Sequence, residues 1–158
     1  MTNRTIIEIE LVLAEHFNWK KNVIVTNVTD LSTLVYHECD MLILKGDYLT
    51  EVEIKRSWKD FLADFKKKHQ HESNIVKHFY YCVPISIIDK VLEYIKTNNI
   101  QCKTVISYDE DLKLTYHETG VHPLWNWRKL FLEEKFQLAR LGAMRSIPLK
   151  YKLINKEK

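Results

Sequence analysis

Apolar and polar positions divide the chain into one leading helix, three short strands and then alternating helices and strands. Thr5 to Phe17 has helical composition, and Ile6, Ile7, Ile9, Leu11, Val12 and Leu13 supply more than one apolar stripe. Asn22 to Val28, Val35 to Leu44 and Tyr48 to Lys55 are rich in aliphatic and β-branched residues and read as three consecutive antiparallel strands. A helix follows at once: Ser57 caps it with Asp60 three residues on, and Trp58, Phe61, Leu62 and Phe65 form a stripe that covers the sheet. His78 to Val83 is a buried strand stopped by Pro84. Ile85 to Thr97 is an amphipathic helix with Ile87, Ile88, Val91, Leu92 and Ile95 inward, and it leads to a strand at Lys103 to Ser107. That crossover makes the sheet mixed. Leu112 to His117 is a short last strand after the Asp109-Glu110-Asp111 turn. Beyond Pro123 the pattern is helical to about Met144, with Trp125 and Trp127 expected to pack against the core. The predicted fold class is α/β in the broad sense, an α+β mixed sheet flanked by helices.

One segment conflicts with simple core packing. If Gly46-Asp47 is a two-residue hairpin loop, Lys45 faces Tyr48, and the register runs through Leu44 with Leu49, Leu42 with Glu51, Asp40 with Glu53 and Glu38 with Lys55. Asp40 and Glu53 then sit opposite each other, and like charges at a cross-strand pair repel. Something positive is expected between them. A divalent cation, Mg²⁺ or Mn²⁺, is the simplest candidate, because hard cations take carboxylate oxygens together with water and phosphate. Side chains alternate along a strand, so Glu51, Glu53 and Lys55 share a face while Val52 and Ile54 pack on the other. Lys55 is placed to touch a scissile phosphate or to help deprotonate an attacking water. A surface hairpin with one solvated face shows the same alternation. Against that, Asp40 adjoins the continuous apolar run Met41-Leu42-Ile43-Leu44, which suggests a strand covered on both sides. The register is the sensitive point, since a three-residue loop would separate Asp40 from Glu53.

Composition narrows the alternatives. The 158 residues, 46% of them hydrophobic, suffice for one domain with a proper core, read as residues 1–145 followed by a basic tail at 146–158. Three glycines, three prolines and no low-complexity run leave neither an internal repeat nor a flexible linker. Met1-Thr2-Asn3-Arg4, followed by Glu8 and Glu10, lacks the apolar stretch of a signal peptide or membrane span, so the expectation is a cytoplasmic protein with no membrane partner. Cys39, Cys82 and Cys102 are odd in number and far apart, and read as reduced core thiols. His69, His71 and His78 have no Cys-x-x-Cys partner, which argues against structural zinc.

Asp40, followed after a turn by Glu53-Ile54-Lys55, resembles the Asp then Glu-x-Lys signature of the PD-(D/E)xK nuclease superfamily. The run Glu53-Ile54-Lys55-Arg56-Ser57-Trp58-Lys59-Asp60-Phe61-Leu62-Ala63-Asp64, then Phe79-Tyr80-Tyr81-Cys82-Val83-Pro84, is similar to small DNA-repair nucleases of the MmcB-like kind. The likeness spans roughly residues 5 to 107 and lacks a proline before the Asp, as many members do. It implies a restriction-endonuclease-like core of helix, three antiparallel strands, helix and strand, here extended by a further helix and strand and a C-terminal helix. It also implies metal-dependent cleavage of DNA with Asp40 and Glu53 as ligands, Lys55 as catalytic base or phosphate clamp, and an acid from the first helix. Glu8, about three turns before the Asn18-Trp19 exit, is preferred for that acid and Glu15 held in reserve.

Net charge is only +3, but Lys66-Lys67-Lys68-His69 ends the helix that follows Lys55, and Arg140, Arg145, Lys150, Lys152, Lys156 and Lys158 gather near the C-terminus. Lys66, Lys67 and Lys68, with Ser57, are the candidate nucleic-acid contacts. Their bland alternative is complementing a helix dipole in solvent. The functional expectation is a Mg²⁺-dependent deoxyribonuclease acting on DNA, with homodimerisation left open. The alternative is a noncatalytic nucleic-acid-binding or assembly protein on the same fold. Cleavage of RNA is weaker, because no aromatic-rich RNA-recognition motif is present.

Overall fold

The computed structural model describes residues 4–28, 34, 37–66, 73–123 and 126–156, with side chains described as far as Pro148. The first helix, α1 (Ile6–His16), starts where expected because Thr5 caps it: its hydroxyl accepts from the Glu8 amide, and the Glu8 carboxylate returns a bond to the Thr5 amide. Then come β1 (Val23–Val28), β2 (Cys39–Lys45) and β3 (Tyr48–Ile54). They are antiparallel in the register expected, from Lys45↔Tyr48 through Leu42↔Glu51 to Met41↔Val52. Gly46 makes the turn with φ +63°, a conformation glycine takes without strain. Residues 35 and 36, assigned to a strand from the pattern, lie outside the described residues.

Helix α2 (Trp58–Asp64) carries the chain back so that β4 (Val76–Pro84) lies parallel to β3. A single 3₁₀ turn (Ile85–Ile87) and α3 (Ile88–Thr97) then set β5 (Thr104–Tyr108) parallel to β4, and β6 (Leu114–Glu118) closes antiparallel. The six strands form one mixed sheet in the order β1-β2-β3-β4-β5-β6. Its two faces bury different sets. Met41, Ile43, Val52, Ile54, Cys82 and Ile106 pack with Ile9 and Leu13 of α1. Leu42, Leu44, Leu49, Tyr81 and Val105 pack with Phe61 of α2, Val91 and Ile95 of α3 and Leu138 of the last helix.

That last helix, α4, runs from Leu132 to Lys156 with Pro148 inside it. Two expectations fail here. Residues 126–131 are not helical, and backbone bonds tie Arg128 to Asn74 and Leu130 to Asp47. Residues 146–156, expected as a separate tail, continue the helix. Trp127 is not buried: it is 42% exposed and meets the Tyr48 ring edge-on at 5.2 Å. Trp125 lies outside the described residues.

Candidate active site

The β2–β3 ladder stops at Met41↔Val52, and the next position on each strand is an acid. Asp40 and Glu53 replace the ladder with side chains: the Asp40 amide donates to Glu53 Oε1 (3.2 Å), and the Ile54 amide donates to Asp40 Oδ2 (2.7 Å). Each carboxylate therefore sits on the other strand's backbone, which offsets part of the repulsion that pairing them creates. Strand alternation places Glu53 on the face shared with Leu42, Leu44 and Leu49, the face that α2 covers.

Lys55 supplies the nearest positive charge. Its Nζ donates to Glu53 Oε2 at 2.7 Å and to Asp64 Oδ1 at 2.9 Å, all three side chains being nearly inaccessible. Asp64, at the end of α2, is fixed by the Tyr81 hydroxyl, which donates to Oδ2 at 3.1 Å. Burial disfavours the Lys55 ammonium, but Glu53 and Asp64 outweigh it and lift the Lys55 pKa above the ordinary lysine value. Lys55 is thus a held cation. Of the two roles open to it in the sequence, clamp and base, this environment suits the clamp. Glu51, one pair further along the same face, is fully buried with His37 Nε2 at 2.9 Å from its Oε1. Cys39 lies within this field: burial, then Glu51, Glu53 and Asp40, drive its thiol far above the usual range and keep it protonated.

The first-helix acid is not where it was expected. Glu8 is spent on the α1 cap and on Arg4 Nη1 (3.2 Å), and the Thr5 bonds hold its pKa low. Glu15 accepts from the Trp19 indole at 2.7 Å, at the other end of the helix. Of the three α1 acids, Glu10 is the one whose charge is felt by Asp40. Burial raises its pKa and the nearby Asp40 charge raises it further, while the Asn27 amide, donating to Oε1 at 2.8 Å, opposes them. Asn27 stands where the β1–β2 ladder skips a pair opposite Asp40, with φ +53°. Glu10 was detectable from the pattern, since it follows Ile6 by four and precedes Leu13 by three on the inward stripe, whereas Glu8 and Glu15 fall off it. Asp64 carried the same signal, three residues after Phe61 on the buried stripe of α2.

Of the candidate nucleic-acid contacts, Lys66 is exposed just past α2, and the Ser57 hydroxyl accepts from the Asp60 amide as the N-cap. Lys67 and Lys68 lie outside the described residues, as do His69 and His71. Among the described residues, no cluster of three or more His, Cys, Asp or Glu side chains is arranged to hold a metal ion. Asp40 and Glu53 still offer the one or two carboxylates that Mg²⁺ takes when phosphate and water complete its shell, so the donor chemistry fits that cation while the ligand set from protein alone is small. No described helix is long and apolar enough to cross a membrane.

Fold and site together define a mixed α/β protein whose third strand ends in an acid–lysine cluster. No protein-family model matches the chain, and no curated protein matches it. Among solved structures it is similar to the SPO1766 protein of unknown function from Silicibacter pomeroyi, 18% identical, with a TM-score of 0.59 over 92% of this chain and 88% of that one. At that identity the likeness is one of fold.

Proposed function

We propose that the chain is a divalent-cation-dependent deoxyribonuclease of the PD-(D/E)xK type, acting in the cytoplasm. The observation that carries this reading is the reciprocal seating of Asp40 and Glu53 on each other's strands with Lys55 held against Glu53. Asp40 and Glu53 would hold Mg²⁺ or Mn²⁺, which supplies a water of lowered pKa and offsets charge building on the phosphate. Glu10 adds a third negative group beside Asp40. Lys55, kept cationic, is placed to receive the phosphate oxygen on which charge develops, and Asp64 and Tyr81 fix the direction from which it does so. The three free, buried cysteines suit a reducing compartment. DNA is the expected partner, bound through its backbone with Lys66 at the rim.

The test is incubation of the purified protein with single-stranded, duplex, flapped and branched DNA in Mg²⁺, Mn²⁺ or EDTA. Cleavage is expected with metal and not with EDTA, and Glu53→Gln and Asp40→Asn are each expected to lower it by at least about a hundredfold while the melting transition stays cooperative. Activity unchanged in both variants removes the pair from the mechanism.

A second reading is favoured by one observation: Lys55 already neutralises Glu53 and Asp64, as in a structural ion-pair network. A noncatalytic nucleic-acid-binding protein on this fold would bind the same DNA panel, with or without EDTA, and cut none of it.

A further inference from the structure

Along the first half of β4, an open cavity of about 380 Å³ is lined by Lys77, His78, Tyr80, Lys103, Tyr116 and Trp127 among others. None of Asp40, Glu53, Lys55 and Asp64 lines it, and Tyr80, which does, packs on the opposite face of the sheet from Tyr81, so this is a separate place on the molecule. Two properties distinguish it. The first is unbalanced positive charge. Lys77 and Lys103 line the cavity, and neither has a carboxylate at ion-pairing distance among the described residues. Their effect registers on His78, whose pKa is lowered by burial and then by Lys77 and Lys103, with Lys45 of the hairpin adding to them.

The second property is fixed aromatic surface. Tyr116 and Trp127 are 43% and 42% exposed, yet neither is loose. Tyr116 meets Tyr80 edge-on at 5.8 Å, and His16 Nε2 lies 2.8 Å from its hydroxyl. Trp127 is held by Tyr48 and by the Lys77 ammonium, which lies 4.0 Å from the Tyr48 centroid and 4.5 Å from that of Trp127. Exposed rings that are pre-ordered lose little freedom when a planar group stacks on them. One carboxylate, Glu118, also lines the cavity, accepting from Thr104 Oγ1 at 3.4 Å. It repels a phosphate beside it but accepts from an amino-bearing base edge.

We propose that this cavity is a nucleotide-binding site, separate from the Asp40–Glu53 cluster, that takes one nucleotide unit with its phosphate toward Lys77 and Lys103 and its base against Tyr116 and Trp127. Cations beside exposed rings are the combination that single-stranded nucleic acid and free nucleotides both require. The volume lies at the lower end of small-ligand pockets and admits one unit, not a folded partner. The site does not depend on the nuclease reading.

The experiment titrates the full chain, with EDTA throughout, with 5′-AMP, adenosine, inorganic phosphate and an eight-residue oligo(dA), following heat and tryptophan fluorescence. AMP is expected to bind at least about tenfold more tightly than adenosine or phosphate alone, since both halves of the site contribute. Tyr116→Ala and Lys103→Glu are each expected to weaken AMP about tenfold, Lys103→Glu also flattening the salt dependence. Glu53→Gln should leave the affinity unchanged. Oligo(dA) binding more tightly than AMP assigns the site to a single strand, and the reverse assigns it to a free nucleotide. Phosphate matching AMP, no binding of either nucleotide ligand, or full affinity in both folded cavity variants overturns the proposal.

Discussion

Lys55 joins two buried carboxylates through one ammonium. Its ammonium lies between Glu53 and Asp64 with almost no access to water, so removing it leaves two carboxylates buried beside each other. Lys55→Ala is therefore expected to destabilise the protein by about 3 kcal/mol at neutral pH, read from urea unfolding, because an interrupted buried pair exposes its full desolvation cost. The pH dependence follows from the raised Lys55 pKa. A cation whose pKa is higher folded than unfolded contributes fully below the unfolded value, here 10.5, and loses that contribution as pH rises through the folded one. The gap between wild type and Lys55→Ala should stay constant from neutral pH to about 10 and narrow above it; a gap that narrows toward neutral pH instead would mean that Lys55 is not the group holding the acids. What the sequence made legible at this scale was the Asp40–Glu53 pairing, because a two-residue loop permits one register and alternation does the rest. The partner of Lys55 was not legible in the same way. Asp64 reaches it only because β4 returns parallel to β3 and Tyr81 anchors the far oxygen, a contact between residues seventeen positions apart in the chain.

Elements decide which candidate acids meet. Glu8 and Glu10 are two residues apart and face different sides of α1: the capping box commits Glu8 to the helix start, and the inward stripe turns Glu10 toward Asp40. Glu10→Gln is expected to lower metal-dependent cleavage by at least about tenfold, whereas Glu8→Gln should leave turnover unchanged and only loosen the first turn of α1; equal effects from the two would return the first-helix acid to an open question. In the sequence, distance along the helix ranks Glu8 above Glu15, but helix periodicity points inward only at Glu10, and Glu8 is taken up by the cap. Helix α4 shows the same competition between local pattern and packing. Its aromatic-rich lead-in at 126–131 has helical composition, yet its backbone is tied to Asn74 and Asp47 instead. Further along, Gly142 lets the helix lie close to β1: an added Cβ would stand 3.2 Å from Val25 Cγ2. Gly142→Ala sets a helix-propensity gain of about 1 kcal/mol against that contact and should be close to neutral. Gly142→Ile has no such compensation and is expected to lower stability by about 2 kcal/mol in thermal unfolding. A neutral Gly142→Ile would show that α4 is free to stand off the sheet.

Across the whole molecule, strands adjacent in sequence are adjacent in the sheet, and the order leaves one strand far more committed than another. β4 is paired in parallel on both sides, and its alternate residues enter both cores, Tyr81 and Val83 on one face and Cys82 on the other. β6 is paired on one side only, and Thr115, Tyr116 and Glu118 along it are exposed. Opening β6 breaks one ladder and uncovers little apolar surface, while opening β4 dismantles both cores. Native-state hydrogen exchange should divide accordingly, with the amides of Tyr81 to Val83 exchanging only through global unfolding and those of β6 exchanging at least about tenfold faster through local opening. The measurement also bears on the homodimer left open by the sequence. An unpaired strand edge is a template for a second chain, so β6 protection that equals that of β4 at high concentration and falls on dilution would mean that another copy covers the edge, while fast exchange at every concentration leaves β6 a bare edge and directs any self-association to a different surface.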